Sequence, residues 1–300
     1  MTISQSSFAF VSDLVRRETA MLYDPGKEYL VEARLLPLAR EAGCNDVDSY
    51  VVRLQSDAAE RAKVLDALTI NETSWFRDNA PYQAFTETML PAMIAARAHV
   101  RHLSIWSAAC SSGQEAYSLA MLLDQHLPPG WTAQILATDV SPKMLARVDA
   151  GRYSQVEMNR GLPATSLVKY FTRTGSEWEV SDDLKKVVRT QHLNLSTPFP
   201  LLPTFDIVFL RNVLIYFDMD TKRDILRRVH QVVAPDGFLL LGSSETTLDM
   251  DAHWGREAHG RVQIHRPASA QATSIASAPS ATHAAAASAA RWQPTSMTGA

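Results

Sequence analysis

The chain has 300 residues, 46% hydrophobic and 20% charged, which is enough for one large domain or two smaller ones with a real core. A formal net charge of −3 argues against a generic nucleic-acid binder, and two cysteines, Cys44 and Cys110, give neither a disulfide framework nor a zinc quartet and suit a reducing cytosol. No apolar run approaches the ~20 residues of a membrane span, and the N-terminus lacks the basic-then-apolar pattern of a signal peptide.

Residues 5–70 carry helical periodicity. Phe8, Val11, Leu14 and Val15 mark one apolar stripe, and Leu30, Ala33, Leu36 and Leu38 mark a second, with Pro37 expected to bend or end that helix. Asp46 or Asp48 caps a third helix containing Tyr50, Val51 and Leu54; Ala58, Ala62, Leu65 and Leu68 mark a fourth. No strand pattern interrupts them, so residues 1–88 are expected to form a helical N-terminal domain.

From about Val100 the pattern changes. Short β-rich runs occur at 102–106, 134–138, 205–210, 237–241 and 261–265, and helical stretches at 115–126, 142–149 and 220–233 separate most of them. Strands alternating with helices imply an α/β domain with a parallel doubly wound sheet over residues 89–266. Residues 151–192 break the alternation and are read as a small inserted helix-plus-hairpin subdomain. Its expected strands are Trp178–Val180 and Lys186–Thr190, with Gly175 in a turn upstream. Residues 267–300, rich in Ala and Ser, hold almost no large apolar groups and are expected to be a disordered tail.

The most informative segments are Leu103–Leu119 and Leu136–Asp139. An apolar strand runs into a loop of small residues, the loop into a helix, and a second strand ends on an acid. That βαβ arrangement holds the adenosine part of a cofactor, with the acid accepting hydrogen bonds from the ribose hydroxyls. The spacing from Gly113 to Asp139 is longer than the ~20 residues of a dinucleotide site, and Ser107, Ala109 and Ser111 stand where glycines would be. A pyrophosphate needs the glycine turn, whereas S-adenosylmethionine (SAM) has no phosphates. The loop therefore favours SAM over NAD, and methyl transfer over hydride transfer.

Two further runs concentrate chemistry. Asn71-Glu-Thr-Ser-Trp-Phe-Arg-Asp78 follows the fourth helix; it reads either as a helix stop with core aromatics or as a lip over a cofactor, with Arg77 reaching an anion. Asp206–Asp218 begins as a buried strand, so Arg211 and Asn212 fall at a strand's carboxyl end, where ligands of parallel sheets bind. Tyr216, four residues past Asn212, shares its face if the segment is helical, and is either near the reacting centre or a core tyrosine. Glu115 opens the helix after the small-residue loop, where it serves the helix dipole or faces the cofactor. Asn194 and Leu195 suit either an adenine edge or a turn. The nine histidines show no metal-ligand spacing, so no metal is expected.

Over residues 5–265 these runs, together with Gly26–Leu35, Trp106–Ser118, Ala137–Ser141, Gly151–Tyr153, Arg211–Phe217 and Gly237–Glu245, resemble the chemotaxis receptor methyltransferases, the CheR family. The resemblance implies a helical N-terminal domain, a SAM-binding α/β domain with a small inserted β subdomain, and methyl esterification of glutamates on methyl-accepting chemotaxis receptors in the cytoplasm, with S-adenosylhomocysteine (SAH) as product. It implies cofactor-site roles for Asn71, Thr73, Arg77, Glu115, Asp139, Asn194, Leu195, Arg211 and Asn212, and places Tyr216, with Arg77, near the transferred methyl. A monomer that binds neither nucleic acid nor the membrane interior is expected. Two features depart from the pattern: residues 1–88 carry nine Lys/Arg against fourteen Asp/Glu, and the inserted segment shows no glycine-rich turn between its two expected strands. The rival readings are a SAM-dependent enzyme for a small molecule and a non-catalytic SAM-sensing adaptor.

Overall fold

The structure is a computed structural model and describes residues 3–248 and 250–268. The expected tail therefore lies outside the described residues from position 269 onward.

Four helices open the chain: α1 (Gln5–Thr19), α2 (Glu28–Glu41), α3 (Val47–Leu54) and α4 (Ala58–Leu68). The α1 stripe is buried as expected. Of the two candidate caps for α3, Asp46 does the work and accepts the Ser49 amide at 2.7 Å. Asp48 instead accepts the Ser4 amide and hydroxyl, which fastens the start of α1 to α3.

Two expectations fail here. Helix α2 runs on past Pro37 to Glu41, and its buried face is Val31, Leu35 and Ala39 rather than the Leu30–Leu38 set. Helix α4 buries Glu60, Val64 and Leu68 and leaves Ala58 and Ala62 exposed. The Tyr50 hydroxyl donates to Glu60 Oε2 at 2.7 Å and Lys63 pairs with Oε1 at 2.8 Å. A carboxylate so satisfied can sit on a core face, which a hydrophobicity pattern cannot register.

Next come α5 (Ala80–Ala84), a π-helical turn (Phe85–Met89) and α6 (Leu90–Ala96). Then follow β1 (His102–Ala108), α7 (Gln114–His126), β2 (Thr132–Asp139) and α8 (Pro142–Ala150). The inserted segment supplies β3 (Arg152–Ser154), α9 (Gln155–Met158), α10 (Ala164–Tyr170), β4 (Phe171–Thr174), β5 (Glu177–Val180), α11 (Asp182–Val187) and β6 (Val188–His192). The chain ends on β7 (Phe205–Leu210), α12 (Met219–Val232), β8 (Val233–Leu241), β9 (Trp254–His259) and β10 (Val262–Pro267).

Seven strands form one sheet in the order β6-β2-β1-β7-β8-β10-β9. The first five are parallel; β10 and β9 close the edge antiparallel. The expected hairpin needs correction. Of its expected second strand, Lys186–Thr190, the first two residues end α11 and the rest open β6 (Val188–His192), which leaves the insertion and pairs parallel with β2 as the edge of the main sheet. The hairpin is β4–β5, and Gly175, at φ +63°, lies inside its two-residue turn rather than upstream. The insertion thus forms its own three-stranded sheet, β3-β5-β4. The antiparallel strand β9 had no counterpart in the sequence reading.

The central strand β7 is buried at every position, as a strand covered on both faces must be. On one face, Trp106, Val208 and Leu239 share a core with Val11, Leu35 and Leu54 of the N-terminal helices. On the other, Ile105, Phe209 and Leu240 pack with Phe85 and Leu119. The ion pairs of Arg97 with Asp206 (2.7 Å) and Asp236 (2.6 Å) tie the end of α6 to β7 and β8. Strand order reverses between β1 and β7, so the crevice at their carboxyl ends is the switch point where such sheets hold ligands.

Candidate active site

A cavity with about 870 Å³ of empty space, open solvent included, lies at this switch point. Its walls contain all ten residues singled out from the sequence: Asn71, Thr73, Arg77, Glu115, Asp139, Asn194, Leu195, Arg211, Asn212 and Tyr216. Five segments bring them together: the run after α4, the start of α7, the end of β2, the loop after β6 and the segment after β7; Thr19 and Met21 at the close of α1 and Ala109–Ser111 of the β1–α7 loop complete the wall.

The β1–α7 loop replaces glycine conformations without glycines. Ala109 (φ +55°) and Ser111 (φ +50°) both take the left-handed region before Gly113 (φ +95°). Each non-glycine there costs about 1–2 kcal/mol, so the surroundings must hold it. Asp139 Oδ2 accepts the Ser111 amide at 2.8 Å, and the Ser111 hydroxyl donates to the Asn71 carbonyl at 2.8 Å. At Gly113 a Cβ would meet Val148 at 2.9 Å, so that position also needs glycine for space.

Asp139 is 6% exposed, and its Oδ1 accepts the Ser141 amide at 2.9 Å. Burial pushes its carboxyl above the ordinary value, while the Ser141 and Ser111 amides pull the other way. Each oxygen keeps a lone pair after one backbone bond.

Two arginines reach the cavity and differ in kind. The Arg211 side chain is 1% exposed and neutralised: it pairs with Asp78 at 2.7 Å and Glu115 at 3.1 Å, and donates to the Arg77 carbonyl at 3.0 Å. Glu115 also accepts the Ser107 hydroxyl at 2.8 Å. Burial works against the Arg211 charge, but Glu115, Tyr82 and Asp78 outweigh it and hold the guanidinium pKa above its ordinary value. Arg77, in contrast, makes one hydrogen bond, to the Glu72 carbonyl at 2.9 Å, and has no carboxylate partner among the described residues. Positive φ at Phe76 (+46°), Asp78 (+68°) and Asn79 (+50°) bends this segment so that its carbonyl and carboxylate turn to Arg211.

Asn194 lines the cavity, but its amide is occupied within the protein. Nδ2 donates to the Glu18 carbonyl at 2.7 Å, and Oδ1 accepts the amide and hydroxyl of Ser196. The turn reading of its side chain therefore holds, and its carbonyl accepts the Thr197 amide and hydroxyl, which leaves the backbone N–H for a ligand. Asn212 and Tyr216 do not share a helix face as expected: Asn212 is left-handed at φ +58°, and only a 3-10 turn, Leu214–Tyr216, follows. Burial raises the Tyr216 phenol pKa, and nearby Arg77 lowers it.

Sequence reasoning missed Asp78 and Glu245. Both lie inside runs singled out above, but the Arg211 partner of Asp78 and three of the four donors to Glu245 are more than thirty residues away in the chain.

The model of the CheR methyltransferase all-alpha domain matches residues 6–69, and that of the CheR methyltransferase SAM binding domain matches residues 71–262. The chain belongs to the CheR methyltransferase family. The chain is 39% identical over 263 residues to chemotaxis protein methyltransferase 1 of Pseudomonas aeruginosa, a match spanning 85% of this chain and 95% of the relative. It is 38% identical to chemotaxis protein methyltransferase Cher2 of Pseudomonas putida (80% and 90%), and 36% identical to chemotaxis protein methyltransferase 1 of Vibrio cholerae (82% and 91%). As a CheR methyltransferase it uses SAM, acts in chemotaxis adaptation, and leaves SAH.

The cavity fits that cofactor on its own evidence. Asp139 offers two spare acceptor sites, and the β1–α7 loop presents backbone rather than bulk. No described helix is long and apolar enough to cross a membrane.

Proposed function

We propose that this CheR methyltransferase esterifies glutamate side chains on the cytoplasmic helices of methyl-accepting chemotaxis receptors. The observation that carries this reading is the Arg77 guanidinium, which has no carboxylate partner among the described residues. Of the two cavity arginines, Arg211 is already satisfied by carboxylates of the protein, and Arg77 is not. A free cation next to a tyrosine in a methyltransferase cavity suits an anionic acceptor. SAM, when bound, supplies an electrophilic methyl group on a sulfonium.

The acceptor carboxylate has an unperturbed pKa of ~4.3 and is ionised at pH 7, so no general base is required. In keeping with that, neither histidine nor lysine lines the cavity among the described residues. Arg77 steers the carboxylate with a single glancing contact; a full bidentate bridge would quench the nucleophile. Tyr216 stands beside it and excludes water. Asp139 accepts the ribose hydroxyls on its spare lone pairs, Glu115 faces the cationic end of the methionine moiety, and Asn71, Thr73, Asn194, Leu195, Arg211 and Asn212 shape the remaining walls. Orientation of this kind contributes roughly 7–11 kcal/mol in favourable cases.

Helices α1–α4 are read as the helical domain and the chain from Asn71 to Pro267 as the catalytic domain, with residues 151–187 inserted, since Phe85 packs on the main sheet and β6 belongs to it. The relatives' names support the receptor reading, since they are chemotaxis methyltransferases. The test is incubation with labelled SAM and receptor cytoplasmic fragments. Base-labile label on the fragments is expected; base-stable label, or label on no fragment glutamate, would sink the carboxylate assignment.

A further inference from the structure

Four backbone amides converge on one carboxylate just outside the cavity wall. Glu245 Oε2 accepts from Asn212 N–H (2.7 Å) and Gly242 N–H (2.7 Å). Its Oε1 accepts from Val213 N–H (2.8 Å) and Leu214 N–H (2.7 Å). Three of these donors are consecutive residues of the loop after β7, which carries Arg211, Asn212 and Tyr216 to the cavity. Successive N–H groups aimed at one point form a nest that attracts an anion. Here the chain provides that anion itself, from the segment after β8.

The surrounding geometry is built for this contact. Asn212 at φ +58° turns its own amide and the next two toward the same side. Asparagine bears that conformation more readily than most residues, but not without compensation. Gly242 is required by space: a Cβ there would lie 2.6 Å from Glu245 Oε2 and 2.8 Å from the Asn212 nitrogen. Glutamine cannot substitute. It offers one oxygen, and its NH₂ would face two of the N–H donors. Glu245 itself is absent from the cavity lining.

We propose that Glu245 is the positioning residue of the methyl-transfer site, acting through the Asn212–Leu214 backbone to fix Arg211, Asn212 and Tyr216 against cofactor and acceptor. The cofactor side of this inference rests on the family's SAM chemistry. Only its turnover arm rests on the receptor reading above.

The experiment uses the full chain with Glu245→Gln, Glu245→Asp and Gly242→Ala, the last of which displaces the carboxylate without changing its charge. Amide exchange is expected to lose at least about tenfold protection at positions 212, 213 and 214 in both Glu245→Gln and Gly242→Ala, with β1 and β2 amides unaltered. SAH affinity, by calorimetry, is expected to fall about tenfold in both. Turnover falls further than affinity, and Glu245→Asp recovers part of it because it restores a carboxylate. Unchanged protection at 212–214 together with unchanged SAH affinity would overturn the proposal. So would uniform loss of protection throughout the chain in both variants, since Glu245 would then hold the fold rather than the loop. If the unaltered chain methylates no receptor fragment, the substrate reading fails, while the exchange and SAH arms still decide the role of Glu245.

Discussion

Asp139→Ala isolates the ribose contact proposed for this carboxylate. The carboxylate is 6% exposed and holds two backbone amides, those of Ser111 and Ser141, at 2.8 and 2.9 Å. Asp139 lines the cavity, and each of its oxygens has a lone pair left for the ribose hydroxyls proposed above. A hydrogen bond to a charged group is worth about 1.5–3 kcal/mol net. Water entering the vacated space recovers part of two such bonds, so the variant should bind SAH about tenfold to a hundredfold more weakly. Two buried N–H groups also lose their acceptor. That costs roughly 1–3 kcal/mol each, offset in part by removal of a desolvated charge. A lower but still cooperative melting transition is therefore expected as well.

Proton linkage gives the same experiment a second reading. Burial raises the Asp139 carboxyl pKa, and hydroxyl donors favour the charged form, so cofactor binding lowers it again. SAH affinity should be complete above the raised pKa and be lost as pH falls through it, starting above the ordinary carboxylate range of ~4. Calorimetry with SAH across pH 4–8 on both proteins is the assay. Unchanged affinity in folded Asp139→Ala, or an identical pH profile in the two proteins, would refute the assignment.

Other outcomes follow from the same contacts. Arg77→Ala and Tyr216→Phe should lower kcat and kcat/KM together while SAH affinity changes little; a loss confined to SAH affinity would move both residues to the cofactor wall. His265 is 1% exposed and burial pushes it from 6.5 down to about 4, so the folded state binds fewer protons than the unfolded one. Stability is then lost as pH falls from about 6.5 to about 4, by about 3 kcal/mol at most, and denaturant titrations should show that slope vanish in His265→Leu. Gly161→Ala should destabilise by about 1–3 kcal/mol, because φ is +96° and a Cβ would collide with the Trp75 carbonyl; it should also weaken SAH binding by shifting the Asn71–Asp78 run.

The sequence by itself determined the alternation of strands and helices, the acid at the end of β2, the small-residue loop before it, and the set of residues that gather at the switch point. These are local properties. Period, strand ends and the size of side chains in a loop can be read without knowing what lies across the fold. The same local logic failed where a distant partner changed the rules. Glu60 belongs to a core face only because Tyr50 and Lys63 satisfy it. Lys186–Thr190 reads as half of a hairpin, yet the strand that forms, Val188–His192, takes the parallel edge that β2 offers, and pairing across such separations leaves no local mark. Pro37 stays inside α2, where the buried Val31, Leu35 and Ala39 hold the helix together on either side of it.

The division is sharpest between the two arginines. Sequence places Arg77 and Arg211 alike beside strands and loops, with equal formal charge. Only the fold brings Asp78 and Glu115 to Arg211 and leaves Arg77 without a counter-charge among the described residues. Charge is written in the sequence, but its neutralisation depends on distances of a few ångströms between segments more than ninety residues apart, and the packing of the chain sets those distances.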